Sequence, residues 1–146
     1  MATASIKMTG GNKLEAHLKT IAASIKKGSV SVGFLEGSTY PDGTPVAQVA
    51  FWNEFGTTNA PPRSFFRNTI KEKSPQWGKE LGAIVKKTDS STALKLMGTR
   101  IKDQLTKAIA DWPADNAEST EQAKGFNKGL VDTGQMQNSV DFEVTE

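Results

Sequence analysis

The residues with the strongest catalytic potential are Asp132, Thr133 and Gly134, an Asp-Thr-Gly turn preceded by the apolar pair Leu130 and Val131. A carboxylate held in such a turn can share one proton with a second carboxylate, and the pair can activate a water molecule for hydrolysis. A homodimer would supply the second Asp. The turn therefore raises the hypothesis of an aspartic protease.

The position of this turn in the chain argues against that hypothesis. The motif resembles the active-site loop of retropepsin-like aspartic proteases, whose fold builds most of its flap and second lobe after the motif. Only 12 residues follow Gly134. The structural interpretation is that Asp132 or Thr133 caps a short helix at residues 134–139 with its side-chain oxygen. We favour this interpretation.

Other catalytic and metal-binding chemistry has little support in the composition. The chain contains no cysteine, which excludes a thiolate nucleophile, a disulfide and a thiolate metal site. His17 is the only histidine and lies in a lysine-rich segment, so a surface histidine is expected rather than a general base. No glycine-rich phosphate loop occurs in a strand–turn–helix setting. We predict no catalytic residue, no cofactor and no metal.

Arg63 and Arg67 stand one helical turn apart and flank Phe65 and Phe66. Arginine and aromatic side chains together can bind single-stranded nucleic acid by stacking, and the same residue types are enriched in protein interfaces. The formal net charge is only +2, which gives little attraction for phosphates. We therefore favour a protein interface over a specific nucleic-acid site, and a nucleic-acid-binding module is the alternative.

The segment Phe51, Trp52, Asn53, Glu54, Phe55 is unusually aromatic for a short helix. Consecutive helical residues diverge by about 100° around the axis, so its three aromatic side chains cannot all face one core. Part of this aromatic surface is expected to be covered either by the following loop or by another subunit.

The elements that position these residues follow from apolar periodicity and turn residues. The strands are predicted at residues 5–9, 29–35 and 140–145. The helices are predicted at residues 12–27, at 45–55, from Pro62 or Arg63 through Ile70, and at 76–87 and 91–112. These elements predict an α+β fold, with a small, mostly antiparallel sheet of three to four strands packed against several helices.

The length and composition predict one domain over residues 1–146. Residues 113–129 are polar and are expected to form a mobile loop. The first residues lack the apolar run of a signal peptide. No stretch of about 18 consecutive apolar residues occurs, so no membrane span is expected.

The run at residues 51–70, FWNEFGTTNAPPRSFFRNTI, resembles a signature of tailed-bacteriophage neck and tail-completion proteins. In that family a helix ending in Glu-Phe-Gly leads through a short loop into Pro-Pro-Arg, a Phe or Leu pair and a second Arg. The matching positions here are Glu54, Phe55, Gly56, Pro61, Pro62, Arg63, Phe65, Phe66 and Arg67. The strand at 32–35 and the helix start at 45–50 also match the family's layout.

The closing run at residues 130–140, LVDTGQMQNSV, resembles the ending of the same family. Together with the strand at 32–35 and the helix start at 45–50, the two runs follow the family's order along most of the chain. Either run alone is a weak signal, and the pair is fairly specific. The resemblance also accounts for Asp132, Thr133 and Gly134 as a structural turn and cap, without proteolysis.

The resemblance implies a virion subunit that carries out no chemistry and meets its partners in the host cytoplasm during assembly. Such a subunit forms a ring with copies of itself, possibly a hexamer, against the tail tube or the head connector and adaptor proteins. Tail termination and head–tail adaptation both stay open. In a closed ring with head-to-tail contacts, each subunit needs two different contact faces. The candidates for one face are Phe51, Trp52, Glu54, Phe55, Pro61, Pro62, Arg63, Phe65, Phe66 and Arg67.

Overall fold

A computed structural model of the chain describes residues 11–24, 28–113 and 134–146. The fold is α+β, as the sequence predicts. Over the described residues the helices are α1 Gly11–Ser24, α2 Val46–Phe55, α3 Phe65–Val85, α4 Ser90–Ala110 and α5 Gln135–Asn138, and the strands are β1 Ser29–Phe34 and β2 Val140–Thr145. Helix α4 lies at the centre and contacts α3, α5 and both strands.

The two strands form an antiparallel pair that buries one face against α4. The apolar cross-strand pairs are Val30 with Val144, Val32 with Phe142 and Phe34 with Val140. Because side chains alternate along a strand, all three pairs lie on one face. The sequence predicted three to four strands, whereas the described residues contain these two. The predicted strand at residues 5–9 lies outside the described residues.

Helix α4 provides five of the ten buried hydrophobic residues in the described part of the chain. Its buried residues recur at three- and four-residue spacing, as expected for a helix covered along one stripe: Ala93, Met97, Gly98, Ile101, Leu105 and Ile109. Asp89 caps its N-terminus by accepting a hydrogen bond from the Thr92 backbone N–H. The side-chain and backbone hydrogen bonds from Thr92 lower the pKa of Asp89 to about 2.

Helix α3 differs from the prediction, because one continuous helix replaces the two that were expected around Pro75. A proline inside a helix leaves the carbonyl four residues earlier without its donor. Pro75 and Lys71 are both exposed, so water can satisfy that carbonyl. Phe66 on one side of Pro75 and Leu81 on the other both pack against the core. Burial on both sides keeps the helix continuous.

Helices α1 and α5 differ in burial. In α1, residues 12–20 are exposed, including both leucines of the predicted apolar stripe, Leu14 and Leu18. The short helix predicted at 134–139 is present as α5, which buries Met136. The predicted caps Asp132 and Thr133 lie outside the described residues, as do residues 114–129 of the predicted loop. No helix in the described ranges is long and apolar enough to cross a membrane.

Candidate functional site

Helix α2 has a buried face and an aromatic face. Its buried residues Val46, Ala50 and Glu54 are spaced by four, and they place this side of the helix on the body. Its aromatic residues all point the other way: Phe51 is 59% exposed, Trp52 43% and Phe55 51%. None of the three belongs to the core of this chain. All three aromatic residues of α2 are therefore about half exposed. The sequence predicted that only part of this aromatic surface would lie outside the core.

Two of the three exposed aromatic rings contact each other, and one of them also contacts Arg67. The ring centroids of Phe51 and Phe55 lie 4.7 Å apart. The guanidinium carbon of Arg67 lies 4.7 Å from the Phe55 centroid, on the ring face, which is a cation–π contact. We call Phe51, Trp52, Phe55 and Arg67 the aromatic face. Aromatic residues and arginine are the types that protein interfaces favour.

Glu54 lies directly beneath the aromatic face and joins α2 to the first turn of α3. Its carboxylate accepts hydrogen bonds from the backbone N–H of Phe66 at 2.9 Å and of Arg67 at 3.1 Å. Arg67 Nε donates a third at 2.7 Å. The first N–H groups of a helix lack partners within the helix, and a negative charge there is stabilising. Glu54, which is 5% exposed, therefore caps α3 from another helix.

The two arginines of the motif hold the end of α2 in place. Arg67 Nη2 donates to the Glu54 carbonyl oxygen at 3.2 Å and to Ser64 Oγ at 2.8 Å. Arg63 Nη1 donates to Asn53 Oδ1 at 3.1 Å, and the Arg63 backbone N–H donates to the Asn53 carbonyl at 2.6 Å. These bonds fix the orientation of the Arg67 side chain, which remains 55% exposed.

Gly56 ends α2 and permits the sharp return of the chain towards α3. Its φ is +79°, a left-handed value that favours glycine. A Cβ at this position would lie 2.9 Å from the Ala60 carbonyl oxygen and 2.9 Å from the Pro62 nitrogen. Both neighbours are backbone atoms of the same loop, so they cannot move aside cheaply. The motif needs glycine here for two separate reasons.

We expect Gly56→Ala to lower the free energy of unfolding by about 1–2 kcal/mol, because Ala is strained at positive φ and its methyl group meets the loop backbone. Urea unfolding measures this change. The matched control is Gly82→Ala in α3, where no atom lies within 4 Å of an added Cβ. There the helix propensity of Ala should raise stability instead. Equal effects of the two substitutions would contradict the assignment of strain to Gly56.

The predicted interface residues fall into two groups in the structure. Pro61 and Pro62 are exposed near the aromatic face. Phe65, however, is only 2% exposed and packs edge-on against Phe34, with ring centroids 6.4 Å apart. Phe66 is half-buried. Glu54 and Phe65 therefore act inside this chain as supports, and a contact through this region would be made by their exposed neighbours.

Sequence reasoning missed Asn53 and Ser64. Asn53 accepts from Arg63, and its own amide donates to the Val49 carbonyl at 2.9 Å. Ser64 stands at the N-cap position of α3 but makes no side-chain capping bond, and its hydroxyl accepts from Arg67 instead. One feature of the sequence could have identified Asn53: it stands next to Glu54 on the side of α2 that carries the buried Val46 and Ala50. Polar residues there need internal partners.

The structure offers no separate support for the catalytic alternatives. Asp132 and Thr133 lie outside the described residues, and Gly134 adopts the left-handed conformation, with φ of +78°. His17 is exposed on α1. Within residues 11–24, 28–113 and 134–146, no three His, Asp or Glu side chains are grouped so that they could hold a metal ion. Comparisons with protein-family models, with curated proteins and with solved structures gave no match.

Proposed function

We propose that this protein is a structural subunit of a tailed-phage virion, a neck or tail-completion protein that acts in a ring of its own copies and catalyses no reaction. The observation that carries the proposal is the aromatic face, where three aromatic side chains of one short helix are all exposed. The two sequence runs that resemble the family support the assignment to a virion. The tail tube and the head connector or adaptor proteins are the proposed partners.

The aromatic face is exposed and clustered in the isolated chain. Clustered exposed apolar side chains mark interaction sites more often than scattered ones do. Phe55 already contacts Phe51 and Arg67, so ordering these side chains on binding costs less entropy than ordering isolated ones. A ring contact is head-to-tail, so this face would meet a different face of the next subunit.

The internal bonds of the arginines favour a protein partner over nucleic acid. Arg67 is paired with Glu54 at 2.7 Å, and Arg63 donates to Asn53. A guanidinium whose charge is already paired contributes less to phosphate binding. Salt-dependent binding of single-stranded DNA would support the nucleic-acid-binding alternative instead.

The proposal also keeps the sheet of three to four strands that the sequence predicts.

The test is complementation of a phage that lacks this gene, with electron microscopy of the particles. Without the protein we expect separate filled heads and tails, or abnormally long tails. The wild-type gene should restore normal particles. Phe51→Ser/Phe55→Ser should fail to do so while the purified variant keeps the wild-type melting temperature, because neither side chain lies in the core.

The matched control is Leu96→Ser in α4. Leu96 is apolar and is 51% exposed, as Phe55 is. This variant should restore normal particles. Normal particles from the double Phe variant would show that the aromatic face is not the contact. Absence of the wild-type protein from purified particles would overturn the virion role itself.

A further inference from the structure

A second apolar surface of the described chain is a groove between β1 and α3, over α4. Its volume is about 330 Å³. The side chains lining it include Val30 and Val32 of β1, Ile70 and Trp77 of α3, and Met97 and Ile101 of α4. No charged residue belongs to the described lining. The indole N–H of Trp77 donates to Gln104 Oε1 at 2.8 Å, so an apolar side chain that enters the groove leaves this donor paired.

The groove and the aromatic face are two different surfaces of the subunit. No member of the aromatic face lines the groove, and Ile70, which does line it, is 39% exposed. A ring with head-to-tail contacts requires two such surfaces that fit each other. We propose that the groove is the second contact surface of the ring, and that it receives Phe51 and Phe55 from the next copy of this chain, with Trp52 at the rim.

The size of the groove fits these two side chains. An apolar protein cavity of about 150 Å³ is large enough to bind one benzene molecule. The rings of Phe51 and Phe55, whose centroids lie 4.7 Å apart, therefore need roughly twice that volume. The groove provides about 330 Å³. Both rings extend from one helix four residues apart, so they can enter together.

The charges of the two surfaces permit the contact. Arg67 is the charged member of the aromatic face, and its Nε lies 2.7 Å from the Glu54 carboxylate. Burying an unpaired charge against an apolar surface is strongly unfavourable. Here the guanidinium keeps a partner within its own subunit, so docking of the aromatic face does not leave it unpaired.

The area of the aromatic face is sufficient for the centre of an interface. A fully buried aromatic side chain removes about 150–250 Å² from water, and the three aromatic side chains of α2 are each about half exposed. Docking would therefore bury roughly 300 Å² of them. Each partner of a stable interface contributes about 800 Å² in total. A central aromatic cluster within a more polar rim is the usual arrangement of such a surface.

Two variants that each block one surface test the contact. Phe51→Ser/Phe55→Ser removes the inserted rings and keeps the groove. Gly78→Phe keeps the rings and fills the groove, because Gly78 lines it and an added Cβ there meets no atom within 4 Å. We expect the wild-type chain to form assemblies larger than dimers and each variant alone to stay monomeric, as measured by sedimentation velocity.

An equimolar mixture of the two variants should give heterodimers and nothing larger. The intact groove of one variant can receive the intact rings of the other, and no second junction remains to extend the assembly. The matched control is Gly82→Phe, an equally open position of α3 that does not line the groove. This variant should assemble as the wild-type chain does.

Disulfide trapping detects the same contact when it is weak. The chain contains no cysteine, so Trp52→Cys and Ile70→Cys each introduce a single thiol. We expect a mixture of these two variants to form disulfide-linked heterodimers at least about fivefold faster than a mixture of Trp52→Cys and Leu96→Cys, because only the first pair is brought together by docking. Leu96 is 51% exposed and lies outside the groove. Adding Gly78→Phe to the Ile70→Cys chain should slow trapping about tenfold, whereas Gly82→Phe should not.

The outcomes separate this inference, which rests on the proposed ring, from the proposed function itself. Assembly of Gly78→Phe alone, or equally slow trapping with Ile70→Cys and Leu96→Cys, would overturn the groove as the second surface. A groove filled by its own chain or by another protein would give the slow trapping. If Phe51→Ser/Phe55→Ser still fails complementation in that case, the aromatic face meets a different virion protein and the proposed function stands. Heterodimers from a protein that is absent from purified particles would overturn the virion role alone.

Discussion

Glu54→Ala is expected to lower the free energy of unfolding by about 3 kcal/mol, the largest effect of any substitution in the motif. The variant leaves the N–H groups of Phe66 and Arg67 without their acceptor at the start of α3. A hydrogen bond to a charged group contributes about 1.5–3 kcal/mol, and a buried donor left unpaired costs a similar amount. Urea or thermal unfolding measures the change.

The ion pair with Arg67 contributes the smaller part of this effect. The Arg67 side chain is 55% exposed, so water screens its charge. The buried Glu54 carboxylate keeps its two backbone donors when the guanidinium is removed. We therefore expect Arg67→Met, which keeps apolar contact with Phe55, to cost less than about 1 kcal/mol. Glu54→Gln should lie between the two, because it keeps one acceptor oxygen but turns an amide towards a donor.

A double-mutant cycle between Glu54→Ala and Arg67→Met separates capping from charge pairing. Most of the loss should persist when Arg67 is already methionine. If Arg67→Met destabilises the chain as much as Glu54→Ala does, the capping explanation is wrong and the ion pair is the dominant interaction. The proposed assembly role gives a second readout: Glu54→Ala should also fail the complementation test, since Phe55 and Arg67 would no longer be held together.

Gly98→Ala is the second substitution argued in full, with an expected net loss of up to about 2 kcal/mol. Gly98 lies where α4 crosses the sheet, and a Cβ there would lie 2.7 Å from Phe142 Cγ and 2.9 Å from Val30 Cγ2. Inserting a methyl group into a packed core typically costs about 1–3 kcal/mol. Alanine is a better helix former than glycine by about 1 kcal/mol, so the measured loss is net of that gain.

The control for helix propensity is again Gly82→Ala, because an added Cβ at Gly82 meets no atom within 4 Å. A second control is Phe142→Ala, which removes the ring that the new methyl group would meet. In the Phe142→Ala background, Gly98→Ala should cost much less or become stabilising. A stabilising effect of Gly98→Ala in the wild-type chain would show that α4 and the sheet can separate freely at this crossing.

The sequence predicted most elements because their signals are local. The apolar stripe of α4, the alternation in β1 and β2, and the Gly56 stop of α2 each depend on residues within a few positions. The sequence predicted one helix ending at Ile70 and another beginning at residue 76. In the structure, apolar side chains on both sides of this gap pack against the core, and α3 is continuous.

The sequence by itself thus determined the α+β class, the central helix and strand pair, and a motif that brings an aromatic helix next to two arginines. Only the tertiary structure decided which of those side chains face the core. The folded chain buries Phe65 and leaves Phe51 and Phe55 exposed. It also brings Glu54 to the start of α3, where the carboxylate accepts hydrogen bonds from backbone N–H groups 12 and 13 residues further along the chain. Periodicity shows which residues share a face, whereas burial and capping depend on what that face meets after the chain has folded.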